Sequence, residues 1–187
     1  MVAIGLVQVS SIFVSLWAGE AYLLDNSTVI LMVAVFFISG LENATYIFRT
    51  GCGLYDVAKY RPVFSAIINL VISIVLVNSI GINGVFIGTI VSRVLTYWLI
   101  DPCVVYKHIL HTPVFDYYIT YFKYVALLLG TTVIAQYINS QITFQGWLLF
   151  ISRGLVAEII FCSTIFVFYR KSGEYQYLVS SILKIIK

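Results

Sequence analysis

Four ionisable side chains stand within long apolar stretches of this sequence, where charge is unusual. They are Glu42, Arg93, Arg153 and Glu158. At the centre of a bilayer each costs at least about 2.5 kcal/mol, so such groups face protein or a water-filled cavity. An arginine keeps its charge in a poorly hydrated site and can hold a phosphate through two parallel hydrogen bonds. The sequence therefore predicts that Arg93 and Arg153 line a hydrophilic cavity and attract an anionic substrate.

The two acidic residues have different expected roles. Glu158 is a candidate site for a coupling ion, because carboxylates inside membrane helices mark ion and proton pathways. Glu42 is expected near the end of its helix, at the membrane interface, where a charge costs little. One structural alternative stays open: an arginine and a carboxylate pair between helices, for instance Arg93 with Glu158.

Small polar side chains are expected beside these charges. Thr89 and Thr96 lie four residues before and three residues after Arg93, which places them on the same helical face. Asn69 and Ser73 lie four residues apart on the preceding apolar segment and form a polar stripe there. We predict that these four side chains line the cavity together with the arginines.

Catalytic and metal-binding patterns are missing from the sequence. His108 and His111 have a metal-like spacing but no third ligand nearby, so we interpret them as a solvated pair. The three cysteines, Cys52, Cys103 and Cys162, form no CxxC pair and indicate neither a disulfide framework nor a zinc site. The prediction is a protein that is not an enzyme and holds no metal and no cofactor. A net charge of +3 is too small to indicate a nucleic-acid partner.

The composition indicates that lipid surrounds most of the chain. Of 187 residues, 61% are hydrophobic and 10% are charged, whereas soluble domains carry about 25% charged residues. The apolar runs are long and do not alternate with polar residues, which predicts helices rather than membrane β-strands. The expected fold class is all-α, a polytopic bundle of about six transmembrane helices. The segments are Val2–Trp17, Thr28–Phe48, Val63–Val77, Val85–Ile100, Tyr121–Ile138 and Gly146–Tyr169.

Polar and proline residues mark the expected ends of these helices. Asn26 or Ser27 is the expected N-cap of the second segment. Asp101 and Pro102 are expected to end the fourth segment, or to kink it, because apolar residues continue beyond them. A loop is then expected from Lys107 to about Thr120.

Basic residues fall on alternate connections between the apolar segments. Nine of the eleven lie in the second connection, the fourth connection and the tail; they are Arg49, Lys59, Arg61, Lys107, Lys123, Arg170, Lys171, Lys184 and Lys187. Positively charged connections face the cytoplasm. The pattern therefore predicts a multi-pass protein of a cell membrane with both termini cytoplasmic.

The last residues differ from the apolar segments. Residues 1–169 are expected to form the transmembrane bundle and residues 170–187 a cytoplasmic tail. In this tail apolar residues recur every three or four positions, at Tyr175, Leu178, Val179, Ile182 and Ile186. This spacing predicts an amphipathic helix that lies on membrane lipid.

Gly84, Gly88 and Ser92 form a ridge of small residues, each four positions from the next. Small residues let two helix backbones approach closely in a membrane. We expect the ridge to pack against a neighbouring helix, and the third segment is the nearest along the chain.

Two stretches resemble one membrane protein family. LWAGEAYLL, from Leu16, resembles the LWxG element of polysaccharide flippases, the O-antigen and capsule repeat-unit exporters of the MOP superfamily. The run GLYDVAKYRPVFSAIINLVISIVLVNSIGINGVFIGTIVS resembles that family's basic loop, asparagine-bearing helix, glycine turn and GvxxGTxxs helix. The resemblance covers roughly residues 13–110.

The resemblance implies a MATE-like fold, in which two helical lobes flank a cavity that opens to alternate sides. It also implies a bacterial protein whose substrate is a polyprenyl-diphosphate-linked oligosaccharide. Such proteins have about twelve to fourteen spans, so this chain would correspond to the C-terminal lobe. Transport would then need an N-terminal lobe or another chain. Two alternatives stay open: a cation-coupled multidrug or small-molecule exporter of the related family, and a non-transporting membrane fragment.

Overall fold

The computed structural model describes residues 2–186, apart from the side chains at positions 174, 178, 182, 183, 185 and 186. The described part of the chain is helical and contains no strand. Its helices are α1 (Val2–Trp17), α2 (Asn26–Gly51), α3 (Arg61–Ile80), α4 (Ile82–Leu110), α5 (Phe115–Ser140), α6 (Gly146–Tyr169) and α7 (Gly173–Ile186). Short 3₁₀ turns at Glu20–Tyr22 and Asp56–Ala58 lie in the connections.

Five of these helices, α2 to α6, are long and apolar enough to cross a membrane, while α1 is apolar but only 16 residues long. In α3 and α6 only 6% of the most apolar window is buried inside the protein. Such exposed apolar surface is stable only against lipid. The chain is therefore an all-α, multi-pass membrane protein, as its composition predicts.

The tail forms α7, but the predicted apolar stripe is only partly visible. Leu178, Ile182 and Ile186 lie outside the described side chains. Tyr177 is 76% exposed. Lipid contact by this helix stays a prediction.

The predicted loop after Lys107 is wrong in most of its length. α4 continues to Leu110, and α5 already begins at Phe115. Pro102 does not end α4 either. A wider π-helical turn, Val94–Trp98, comes just before it. In this turn the backbone hydrogen bonds are shifted from the regular α-helical pattern. The shift comes just before Pro102, which has no N–H to donate, so the helix can continue.

The N-cap of α2 is Asp25, one residue before Asn26 and two before Ser27, the predicted positions. Its carboxylate accepts hydrogen bonds from the backbone N–H of Ser27, at 3.2 Å, and from the Ser27 hydroxyl. These bonds stabilise the ionised form and hold the pKa of Asp25 below its usual value. Aspartate suits this position because it satisfies a helix N–H that has no partner within the helix.

The chain forms two compact units. The central unit contains residues 21–126, and the discontinuous unit contains residues 1–20 and 127–187. α5 contributes its first half to the central unit and its second half to the discontinuous unit. The core of the discontinuous unit joins α1, α5 and α6 through Ile4, Ala135 and Ala157.

In the central unit the small-residue ridge brings α4 against α3. Gly81, at φ 61°, makes the turn between the two helices. A Cβ atom on Gly84 would lie 2.6 Å from the backbone carbon of Leu76, and one on Gly88 would lie 3.0 Å from the backbone nitrogen of Ser73. The first distance is too short for any side chain, and the second is tight; a Cβ on Gly88 would also clash with the Ser73 hydroxyl. The glycines therefore set how closely the helices pack.

Gly84→Ala is expected to lower the melting temperature of the purified protein in detergent. The added methyl group must push the α3 backbone away, and overpacking of this kind costs about 1–3 kcal/mol. Gly40→Ala is the matched control, because a Cβ at Gly40 in α2 meets nothing within 4 Å. Equal melting temperatures for the two variants would contradict the close approach of α3 and α4.

Candidate functional site

An open groove of about 440 Å³ lies between α3 and α4 in the central unit. Its lining residues are Pro62, Ser65, Ala66, Asn69, Leu70, Thr89, Ser92, Arg93 and Tyr97. Ser65, Asn69, Arg93 and Tyr97 carry polar groups that can donate hydrogen bonds. The hydroxyls of Thr89 and Ser92 already donate to backbone oxygens within α4. The groove thus offers polar donors beside apolar surface, and one of the donors is a cation.

The predicted polar stripe forms a hydrogen-bonded chain between α3 and α4. The Asn69 amide donates to the Thr89 hydroxyl at 3.0 Å, and the Ser73 hydroxyl donates to the Asn69 carbonyl oxygen at 3.1 Å. Asn69 and Thr89 line the groove, whereas Ser73 lies behind Asn69 and against Gly88. Asn69 and Ser73 share one face of α3, as their spacing predicts, and Thr89 joins them from α4. Ser73, which was expected to line the cavity, is not among the lining residues.

Thr96 lies away from the groove. It is 2% exposed, and its hydroxyl donates to the backbone oxygen of Ser92 at 2.6 Å. Ser92, the last member of the ridge, is 1% exposed and donates to the backbone oxygen of Thr89. The π-helical turn that begins at Val94 separates Thr96 from the regular helical face of Arg93.

Arg93 is held at the groove by Glu42. Its Nη1 atom donates to Glu42 Oε2 at 2.9 Å; the arginine side chain is 34% exposed and the glutamate side chain 5%. The expected position of Glu42 near the end of its helix is wrong. α2 continues for nine residues beyond Glu42 to Gly51, so the carboxylate lies well inside the helix and against α4. The carboxylate that pairs with Arg93 is thus Glu42, where the sequence suggested Glu158.

A second ion cluster, which sequence reasoning missed, lies within the same unit. Asp101 is fully buried and forms ion pairs with two arginines. Its Oδ1 atom lies 3.3 Å from Nε of Arg49 and also contacts Nη1 of Arg61. Both arginines are 4% exposed, although the sequence placed them in a solvated connection. The signal in the sequence was Asp101 itself, an acid directly after an apolar run. It lies near the end of its predicted helix, as the two arginines lie near the ends of theirs.

Tyr97 lies between the two ion clusters. The Cζ atom of Arg61 is 4.1 Å from the centre of its ring, and that of Arg93 is 5.7 Å away. Such contacts stabilise a cation against the ring face. Arg49, Arg61, Arg93, Glu42 and Asp101 therefore form one connected network with one more positive than negative charge. Arg93 is its partly exposed member.

The other two predicted charges belong to the discontinuous unit. Arg153 is half-buried, and its Nε has no hydrogen-bond partner among the described residues. Its backbone oxygen lies 3.5 Å from the amide nitrogen of Asn139, which also donates to Gln8 at 3.0 Å. Glu158 lies beside Gly5 of α1; its Oε1 atom would be 3.7 Å from a Cβ atom built on that glycine. The structure thus places Arg153 and Glu158 in a different unit from Arg93.

The histidine pair lies at the end of α4. His108 is in the last, π-helical turn and His111 follows with φ 51°, and both are exposed. Within the described residues no three His, Cys, Asp or Glu side chains come together as a possible metal site. The three cysteines are free and exposed.

Comparisons with known proteins do not assign the chain to a family. No protein-family model, curated protein or solved structure matches the chain. What the groove can bind must therefore follow from its own charge, shape and surroundings.

Proposed function

We propose that this chain takes part in the translocation of a polyprenyl-diphosphate-linked oligosaccharide across a bacterial cell membrane, as the C-terminal lobe of a polysaccharide flippase. The observation that carries the proposal is Arg93, a partly exposed guanidinium in an open groove of a lipid-embedded helix bundle. Cations inside membrane proteins mark pathways for anions. A lipid-linked diphosphate is an anion that arrives within the membrane.

The groove chemistry fits the parts of such a substrate. Its volume, about 440 Å³, lies within the range of small-ligand sites. Arg93 can hold a phosphate oxygen, and the Asn69 and Thr89 groups can bond sugar hydroxyls. Pro62 and Leu70 give the isoprenoid chain an apolar surface. Because alternating access needs two lobes, transport would require an N-terminal lobe or a second chain.

Photo-crosslinking tests binding at the groove directly. With the full chain in nanodiscs, a photoreactive phenylalanine at position 70 should crosslink to a radiolabelled polyprenyl-diphosphate-sugar. The matched control is the same substitution at Val75, which lies on α3 outside the groove and is 62% exposed. Unlabelled polyprenyl diphosphate should compete at position 70, and uncharged polyprenol should not. Equal labelling at both positions, or equal competition by polyprenol, would contradict a headgroup site.

A further inference from the structure

Glu42 is a buried carboxylate with one hydrogen-bond partner, Arg93, among the described residues. Its Oε2 atom accepts from Arg93, whereas its Oε1 atom is buried without a hydrogen-bond partner among the described residues. The residue is 4% exposed. A buried carboxylate that loses its only counter-charge is more stable when it is protonated.

The surroundings of Glu42 offer no second free cation in the described residues. The charged and titratable groups that face it are Arg93 and Asp101 from α4, Arg61 from α3, and the phenols of Tyr117 and Tyr121 from α5. Arg61 is already bound to Asp101, as is Arg49. Arg93 is therefore the cation that pairs with Glu42, while Arg61 acts on it without forming an ion pair.

An anion in the groove would share that same guanidinium. The network alone has one excess positive charge, so a singly charged headgroup leaves it neutral. A diphosphate diester carries a negative charge on each phosphate and leaves one negative charge too many. Protonation of one acid removes this excess charge. Glu42 is that acid, because it must share its arginine with the ligand, whereas Asp101 keeps both of its arginines.

We propose that Glu42 takes up a proton when a lipid-linked diphosphate binds at Arg93. The proton comes from the buffer acid in bulk solvent, which is left as its conjugate base, and it adds to the Glu42 carboxylate. Arg93 stays protonated and turns its donors to the phosphate. The inference rests on the proposed function, since it assumes that the groove receives a diphosphate. It assigns to Glu42 the coupling role that the sequence suggested for Glu158.

Calorimetry in two buffers of different ionisation enthalpy measures the coupling on the full chain in nanodiscs. Binding of a polyprenyl-diphosphate-sugar, a diester that does not titrate near neutral pH, should take up about one proton. Because the bound state holds the extra proton, affinity should fall by up to about tenfold for each unit that the pH rises. A polyprenyl-phosphate-sugar, which carries one charge fewer, should bind without proton uptake.

Glu42→Gln should bind the diphosphate lipid without proton uptake and without this pH dependence. Glu20→Gln, which changes an exposed acid, is the matched control and should behave as wild type. Should Glu42→Gln fail to fold, the infrared difference spectrum of the wild type decides, because ligand addition should produce a protonated carboxyl band. Arg93-dependent binding without proton uptake or without that band would overturn the coupling and leave the proposed function intact. Absence of Arg93-dependent binding would overturn both.

Discussion

Asp101→Ala is expected to remove most of the folded protein from the membrane. The change leaves Arg49 and Arg61 buried without a carboxylate, and breaking a buried ion cluster in this way costs about 3–5 kcal/mol. That loss is a large part of the stability of a typical domain. Abundance in isolated membranes and unfolding in detergent would measure the effect.

Two further variants separate the cluster from a general effect of losing an acid. Asp56→Ala removes an exposed acid from the connection before α3 and should leave abundance unchanged. Replacing Asp101, Arg49 and Arg61 together with apolar residues of similar size should restore abundance, because no buried charge is then unpaired. Wild-type abundance and melting of Asp101→Ala alone would contradict a structural role for the cluster.

The fold could be predicted from the sequence further than the site could. Continuous apolar runs predict membrane helices because lipid demands both apolar side chains and internal hydrogen bonding of the backbone. The bounds of the helices are less predictable. Phe115 and its neighbours resemble a loop in sequence, yet α5 begins there, and the Tyr118 ring packs 4.8 Å from that of Trp98 in α4. Such packing between distant residues overrides local preference.

The site could be predicted only in part, because some of its contacts join residues that are distant in the sequence. Spacing along one helix places Asn69 with Ser73, and the small-residue ridge brings them to Thr89. The pairing of Arg93 with Glu42 joins residues 51 positions apart and depends on how α2 meets α4. A single sequence shows that each charge needs a partner but not which partner the packing supplies.

Arg93→Ala is expected to abolish export of the surface polysaccharide in cells that make the protein with its native partners. Loss of a charge-assisted bond to the headgroup costs about 1.5–3 kcal/mol, which is roughly 10-fold to 150-fold in affinity. Arg93→Lys should retain part of the export, since an ammonium group still attracts phosphate but cannot bind it through two bonds. Protein abundance in the membrane must be measured for each variant.

A purely structural role for Arg93 makes a different prediction. In that case the defect of Arg93→Ala comes from the unpaired Glu42 carboxylate, which is 5% exposed. Removing Glu42 as well would then restore the protein and its activity. With a substrate-binding role, the second change restores at most the abundance of the protein, because the groove still lacks its cation.

The most direct measurement is therefore surface polysaccharide in cells that carry Arg93→Ala together with Glu42→Ala, compared with each single variant at equal protein abundance. We predict that the double variant reaches the membrane at wild-type levels and exports no polysaccharide. Export restored to the wild-type level in the double variant would contradict the account, because the Arg93–Glu42 pair would then serve only to hold α4 against α2.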